Sequence, residues 1–163
     1  MLHEVTGDIL LTKAQAIAHG IAPNEHFDSG LALSLRENWP AMAKDYRHYA
    51  HMQSPEPGNI WMWRGAGSKH IINLLTQTGV HTHGARPGPA TLANVNHCLR
   101  KLRQEIEKSD IKSIALPRLA TGVGTLDWKD VQPLIAQHLA ALNIPIYLYV
   151  TYHHGMQANE PGT

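Results

Sequence analysis

Residues 117–128 read PRLATGVGTLDW and place a Gly-X-Gly step between an apolar run and an amphipathic segment. Glycine lets the backbone adopt positive φ and approach a ligand closely. Successive backbone N–H groups in such a loop, with the start of the next helix, can form a concave anion site. The loop lacks the third glycine of a dinucleotide fingerprint and the Gly-Lys-Ser/Thr ending of a P-loop. The loop therefore predicts an anion site that is neither a dinucleotide-binding loop nor a P-loop. The alternative is a plain tight turn.

A second candidate loop, residues 24–30, precedes another predicted helix. Ser29 and Gly30 stand where that helix would begin, so their backbone N–H groups are also placed to meet an anion. The carboxylate of Asp28 would repel a phosphate, which favours a role in orienting a ribose or a water. The alternative is that Asp28 or Ser29 only caps the helix.

Asp8 follows the first predicted strand. Its carboxylate could accept a hydrogen bond from an exocyclic amine such as that of adenine. The alternative is a turn-forming aspartate that bonds its own backbone.

Twelve histidines raise the question of a metal site. The close pairs are His81 with His83 and His153 with His154, and the chain has one cysteine, Cys98. Zinc sites need three or four ligands in order. We therefore expect scattered histidines, no metal and no cofactor.

The elements that must position these loops alternate between strand and helix. Strands are predicted within residues 2–10, 14–22, 59–63, 69–76, 113–117 and 144–150, and helices within residues 31–39, 41–52, 92–106 and 128–142. The alternation predicts a three-layer α/β/α sandwich with a mixed, largely parallel sheet of about six strands. Ligands of such sheets lie at the carboxyl ends of the strands, where all three candidate loops fall.

Pro133 lies inside the last helical stripe. We expect that helix to begin near Asp130, because proline is tolerated in a first turn, where the backbone N–H groups lack partners.

Composition limits the class of protein. The chain has 163 residues, 43% of them hydrophobic, and a net charge of +1, which fits one domain and does not indicate a non-specific nucleic-acid binder. We expect a single domain over residues 1–152 with a loose polar tail over 153–163. No apolar run is long enough to span a membrane, and no signal peptide is apparent, so we expect a cytoplasmic protein.

Four segments in order carry a family resemblance: VTGDIL (5–10), AIAHGIAPNEHFDSGLALSLRENWP (16–40), KHIINLLTQ (69–77) and SIALPRLATGVGTLDWKDVQPLI (113–135). Together they resemble a macrodomain, an α/β/α module that binds ADP-ribose. The resemblance covers residues 1 to about 150 and is closest to the branch of the terminal ADP-ribose glycohydrolase and the DNA-ADP-ribose glycohydrolase antitoxin.

The resemblance implies roles for individual residues. Asp8 would recognise the adenine amine with Ile9 beside the ring, and Asn24, His26 and Asp28 would lie near the distal ribose. The remaining implied ligand-binding residues flank the diphosphate or lie beside it: Ser29, Gly30, Leu31, Gln77, Leu119, Ala120, Thr121, Gly122, Val123, Gly124 and Thr125.

This sequence differs from that branch of macrodomains at two positions that concern catalysis. Gln77 stands where the branch has a catalytic lysine, and Gly124 stands where one of its enzymes has an aspartate. The common hydrolase class with an Asn-Ala-Ala-Asn strand is not matched either. The resemblance therefore implies binding of ADP-ribose, or of ADP-ribosylated protein or nucleic acid, without a standard catalytic group.

Three hypotheses follow. The first is an ADP-ribosyl hydrolase in which Asp28 orients a water and His19 or His26 assists. The loop of residues 77–89, with His81, His83 and Arg86, could cover the distal ribose. The second is a non-catalytic ADP-ribose reader, and the third is a metal protein. Whether a toxin partner exists is left open.

Overall fold

Strand β4, His70–Leu75, is buried along its whole length, and strand β2, Ala16–Ile21, almost so. Strands that are buried on both faces need a helical layer on each side of their sheet. The computed structural model describes residues 1–67, 69–79 and 88–163 and contains those two layers. The helices are α1 (Gly30–Asn38), α2 (Pro40–Gln53), α3 (Leu92–Lys108) and α4 (Trp128–Leu139), with a short 3-10 helix at Ile9–Leu11.

The described sheet has six strands in the order β1-β6-β5-β2-β4-β3. Neighbouring strands pair in parallel, except that β3 and β4 are antiparallel. This confirms the predicted α/β/α sandwich with a largely parallel sheet. The other four strands are β1 (Leu2–Gly7), β3 (Ile60–Arg64), β5 (Ile114–Pro117) and β6 (Ile146–Tyr152).

Two hydrophobic cores lie on opposite faces of the sheet. On one face α3 and α4 cover Ala18, Ile72 and Leu116. On the other face α1 and α2 cover Ile17 and Ile71. Because side chains of a strand alternate between faces, one strand such as β2 contributes to both cores.

Helix α4 begins two residues earlier than predicted. Asp127 is its N-cap and accepts a hydrogen bond from Lys129 N at 3.1 Å, so the helix starts at Trp128. Pro133 therefore lies beyond the first turn, inside the helix. The expectation of a start near Asp130 was wrong, because an aspartate cap outweighs the proline that follows it.

The C-terminal segment, residues 153–163, packs against the first strand and the turn after it. Asp8 N donates to Met156 O at 2.7 Å. Glu160, only 6% exposed, accepts from Thr12 Oγ1 at 2.5 Å and from Tyr149 OH at 2.6 Å. The expectation of a loose tail was wrong, because the buried carboxylate of Glu160 needs these partners.

No helix in the described part of the chain is long and apolar enough to cross a membrane. Most of the 77–89 loop, with His81, His83 and Arg86, lies outside the described residues.

Candidate functional site

A cleft of about 860 Å³ lies across the carboxyl ends of the parallel strands. The glycine loop, residues 118–127, forms one wall, and the start of α1 forms the other. A shallow depression of about 670 Å³ runs along β1 and the C-terminal segment, away from these strand ends. The predicted site residues that line the cleft are His19, His26, Asp28, Ser29, Gly30, Leu31, Gln77, Leu119, Ala120, Thr121, Gly122, Val123 and Gly124.

The glycine loop is held in a tight turn by its own backbone. Leu126 N donates to Ala120 O at 2.9 Å, and Thr125 N donates to Gly122 O at 3.1 Å. Ala120 and Thr125 adopt positive φ of 62° and 67°. A Cβ on Gly124 would lie 2.6 Å from Ala120 O, so only glycine permits this approach of the backbone to itself.

Three consecutive backbone N–H groups at the Gly-X-Gly step of the glycine loop have no acceptor within the described residues. They belong to Gly122, Val123 and Gly124, all of which line the cleft. Consecutive N–H groups without internal partners are the feature that a backbone anion site requires.

The start of α1 presents a matching set of donors on the opposite wall. The first intrahelical bond runs from Leu33 N to Ser29 O at 3.2 Å, which leaves the N–H groups of Gly30, Leu31 and Ala32 outside the helix's own bonding. Ser29 occupies the N-cap position but makes no side-chain capping bond. Gly30 has φ 57°, a left-handed conformation that favours glycine.

Asp28 is exposed in the cleft wall and has no hydrogen-bond partner in the part of the chain that the structure describes. Neither Asp28 nor Ser29 caps α1 with its side chain, so the capping alternative is wrong. Both groups remain available to a ligand.

The loop before α1 is held by one carboxylate and one aromatic side chain. Glu25 accepts from Ala22 N at 3.1 Å and from Phe27 N at 3.0 Å. Phe27 is fully buried with φ 54°, and its ring meets that of Tyr46 edge-on at 5.7 Å. Because Phe27 is anchored inward, its exposed neighbours His26 and Asp28 lie on the cleft side.

His19 lies deep in the cleft and is 2% exposed. Its Nε2 is 2.7 Å from Asn73 Oδ1 on the neighbouring strand. Burial lowers the pKa of His19 from 6.5 to about 4, against the smaller raising effect of the Asn73 hydrogen bond. The imidazole is therefore neutral at neutral pH.

Gln77 lines the cleft and holds the base of the 77–89 loop. Gln77 N donates to Ile21 O at 3.1 Å, and its Nε2 donates to Gly88 O at 3.1 Å. The side-chain amide is thus partly committed to the loop.

Four predicted ligand residues are not among those that line the cleft. Asp8 is 4% exposed, and its carboxylate accepts from Leu10 N and Gly155 N, both at 3.0 Å. Asn24 Oδ1 is buried without a partner in the described residues. Ile9 is buried, and Thr125 donates its hydroxyl to Gly124 O at 2.6 Å.

Several cleft residues were missed by sequence reasoning. Arg118 follows β5 directly, with its guanidinium 5.6 Å from the centre of the Trp128 ring. Tyr149, Val150 and Tyr152 come from the end of β6. The rule that ligands lie at strand carboxyl ends would have selected all four once β6 was placed beside β5. Gly20, Glu25, Ala32 and Pro117 complete the lining.

No group of three or more His, Cys, Asp or Glu side chains suited to a metal ion occurs within residues 1–67, 69–79 and 88–163. His154 Nδ1 lies 2.9 Å from Tyr152 OH and 3.7 Å from Asp8 Oδ2. His81 and His83 lie outside the described residues.

Comparison with known proteins agrees with this geometry. The family model of the Macro domain matches residues 6–135. A DNA ADP-ribosyl transferase–DNA ADP-ribosyl glycohydrolase fusion protein from Thermosipho africanus is 40% identical over 158 residues, which cover 90% of this chain and 41% of that protein. The chain spans about two fifths of the length of the first curated relatives that it matches.

Two solved structures share the fold. The macrodomain of Mycobacterium tuberculosis DarG has a TM-score of 0.80 at 25% identity, over 91% of this chain and 97% of that one. Thermosipho africanus DarTG in complex with ADP-ribose has a TM-score of 0.79 at 20% identity, over 96% of this chain and 42% of that one.

Proposed function

The chain belongs to the macro domain family, and we propose that its cleft binds ADP-ribose and that the protein hydrolyses ADP-ribose from a modified macromolecule. The observation that carries the proposal is the pair of facing donor sets. Backbone N–H groups of the glycine loop and of the α1 start line one cleft without internal acceptors. A diphosphate offers oxygens to both walls at once.

The sheet order supports one direction for the ligand. The family resemblance assigns the adenine to Asp8, which follows β1 beside β6, so we propose that the adenine lies toward that end of the cleft. The diphosphate then lies over the end of β5, between the two donor walls. The distal ribose comes to the ends of β2 and β4, near His19, Gln77 and Asp28.

Hydrolysis at the distal ribose needs a water and a place for its proton. The water oxygen bonds to C1″, the bond from C1″ to the macromolecule breaks, and the released group gains a proton. Asp28 is our candidate to orient that water, because its carboxylate is exposed in the cleft wall and has no partner in the described chain. His26, exposed two residues earlier, is the candidate to exchange a proton.

The relatives' names suggest the substrate class. The Thermosipho africanus relative is named as a transferase–glycohydrolase fusion that acts on DNA. We propose ADP-ribosylated DNA as the first substrate to test, supplied by a DNA ADP-ribosyl transferase. Arg118, exposed beside the cleft, is placed to pair with a DNA phosphate. The single cysteine, buried Cys98, suits a reducing compartment, which we propose is the cytoplasm.

Incubation of the protein with ADP-ribosylated DNA and, separately, with ADP-ribosylated protein tests the activity. We expect loss of label from DNA. Asp28→Ala should lower the rate by about 100-fold, the lower range for a positioned acid–base group. Asp110→Ala, a matched exposed carboxylate on the α3–β5 connection, should keep the wild-type rate. Full activity in Asp28→Ala would remove Asp28 from the mechanism.

A second candidate function, a non-catalytic reader of ADP-ribose, is favoured by one observation. Gln77 replaces the branch's lysine, and its amide is bonded to Gly88 O. If the wild-type protein binds ADP-ribose but removes label from neither substrate, the reader function replaces the hydrolase.

A further inference from the structure

The hydrogen bonds around Asn73 determine which of its two amide atoms faces His19. Asn73 is fully buried, and its Nδ2 donates to the main-chain carbonyl of Trp61 at 3.3 Å. A carbonyl can only accept, so Nδ2 must face Trp61. Asn73 Oδ1 is therefore the atom that lies 2.7 Å from His19 Nε2.

The position of Asn73 Oδ1 determines which nitrogen of the His19 imidazole carries a proton. Asn73 Oδ1 can only accept, so His19 Nε2 must carry a proton. Burial opposes a second proton on the ring and keeps it neutral, because its pKa is lowered to about 4. In a neutral imidazole with Nε2 protonated, Nδ1 holds a lone pair and acts as an acceptor.

The acceptor atom, His19 Nδ1, has no hydrogen-bond donor within the described protein. Among residues 1–67, 69–79 and 88–163, none donates a hydrogen bond to His19 Nδ1. The ring is one of the groups that line the cleft, at the end where β2 and β4 pair through His19 and Asn73. Of the described side-chain atoms, only Asn24 Oδ1, His70 Nδ1 and Thr76 Oγ1 are sealed from solvent without a partner, so His19 Nδ1 is open to the cleft, where a ligand or a water can reach it.

We propose that Asn73 is a positioning residue that holds His19 as the Nε2–H tautomer, so that His19 Nδ1 accepts a hydrogen bond from a hydroxyl of the distal ribose. This inference rests on the ADP-ribose binding proposed above and does not require hydrolysis. It makes His19 a neutral acceptor that orients the ribose, and it leaves proton transfer to exposed groups such as His26 and Asp28.

Imidazole ¹⁵N NMR of the wild-type protein at neutral pH tests the tautomer without any substitution. His19→Gln identifies the His19 signals by their disappearance. We expect a protonated Nε2 and a non-protonated Nδ1, and we expect Nδ1 to move upfield with saturating ADP-ribose but not with ADP, which lacks the distal ribose. A proton on Nδ1, or an Nδ1 signal that ADP-ribose does not move, would overturn the proposal.

Binding measurements with the same two ligands give a second test. Asn73→Asp would place a carboxylate against Nε2, favour the doubly protonated ring and remove the acceptor. We expect ADP-ribose affinity to fall by about tenfold, the upper range for one neutral hydrogen bond, while ADP affinity changes by less than about twofold.

The chain contains a matched control for this substitution. His138 Nε2 lies 2.7 Å from Asn96 Oδ1 between α4 and α3, and neither residue lines the cleft. Asn96→Asp makes the same chemical change there and should leave both affinities unchanged. An equal loss of ADP and ADP-ribose affinity in Asn73→Asp would contradict the proposal, whereas a wild-type protein that binds neither ligand would overturn the proposed function itself.

Discussion

At Gly122 the glycine loop has room for a side chain, because no atom lies within 4 Å of the position that a Cβ would take. Gly122→Glu should therefore fold normally and place a negative charge in the cleft. We expect the Kd for ADP-ribose to rise by at least about tenfold, since the carboxylate repels the diphosphate and fills the space between the walls. Titration calorimetry measures the change.

Gly122→Gln separates charge from bulk in that experiment, because the two side chains have nearly the same size. We expect it to weaken binding less than Gly122→Glu. Unchanged affinity in Gly122→Glu would show that the ligand does not lie against this loop.

The sequence could predict the position of some residues in the cleft but not of others. The glycine loop and the Ser29-Gly30 step could be located, because both depend on local features: Gly124 approaches Ala120 closely, and Gly30 adopts a positive φ at the start of a helix. Glu25 could not, because its two partners, Ala22 N and Phe27 N, meet only in the folded loop. Tyr149 and Tyr152 could not either, because their place in the cleft depends on β6 lying beside β5.

At the scale of elements, the C-terminal segment is held by one buried carboxylate. The Glu160 carboxylate accepts hydrogen bonds from Thr12, Lys13 and Tyr149. In Glu160→Gln, an amide NH₂ would replace one accepting oxygen and would face a donor. We expect the free energy of unfolding to fall by about 1–3 kcal/mol, the cost of an unmatched buried polar group. Urea denaturation measures it.

The control for that experiment is Glu107→Gln on α3. Glu107 pairs with Arg103 at 2.7 Å in an exposed i,i+4 contact, which is worth little in water. We expect a change within about 0.5 kcal/mol. A Glu160→Gln variant as stable as this control would show that the segment is held by other contacts.

The elements themselves could be predicted, because apolar spacing in strands and helices is a local signal. The packing of the C-terminal segment could not. Its residues are mostly polar, and the burial of Glu160 depends on Thr12, a partner 148 positions away in the chain. Pro133 alone predicts too late a start for α4, because the Asp127 cap begins the helix at Trp128.

At the scale of the whole molecule, buried His19 links stability to pH. Its pKa is lowered from 6.5 to about 4, so between these values the unfolded chain binds a proton that the native protein does not. The contribution is complete above about pH 6.5 and is lost as the pH falls toward 4. It amounts to about 3 kcal/mol at most.

Chemical denaturation between pH 4 and 7 tests this linkage. We expect the free energy of unfolding of the wild-type protein to fall on acidification, and His19→Gln to flatten that fall. Glu25, His26, Asp28 and Arg118 line the same cleft and are present in both proteins, so the comparison isolates His19. His48→Gln, an exposed histidine on α2, should keep the wild-type slope, and a His19→Gln slope equal to it would contradict the assignment.

The central claim is that the cleft across the strand ends binds ADP-ribose, and titration calorimetry of the wild-type protein with ADP-ribose tests it most directly. We predict saturable binding at one site per chain with a Kd below about 1 mM. Absence of binding heat at millimolar ADP-ribose, across two temperatures so that a zero enthalpy is not mistaken for no binding, would contradict the account.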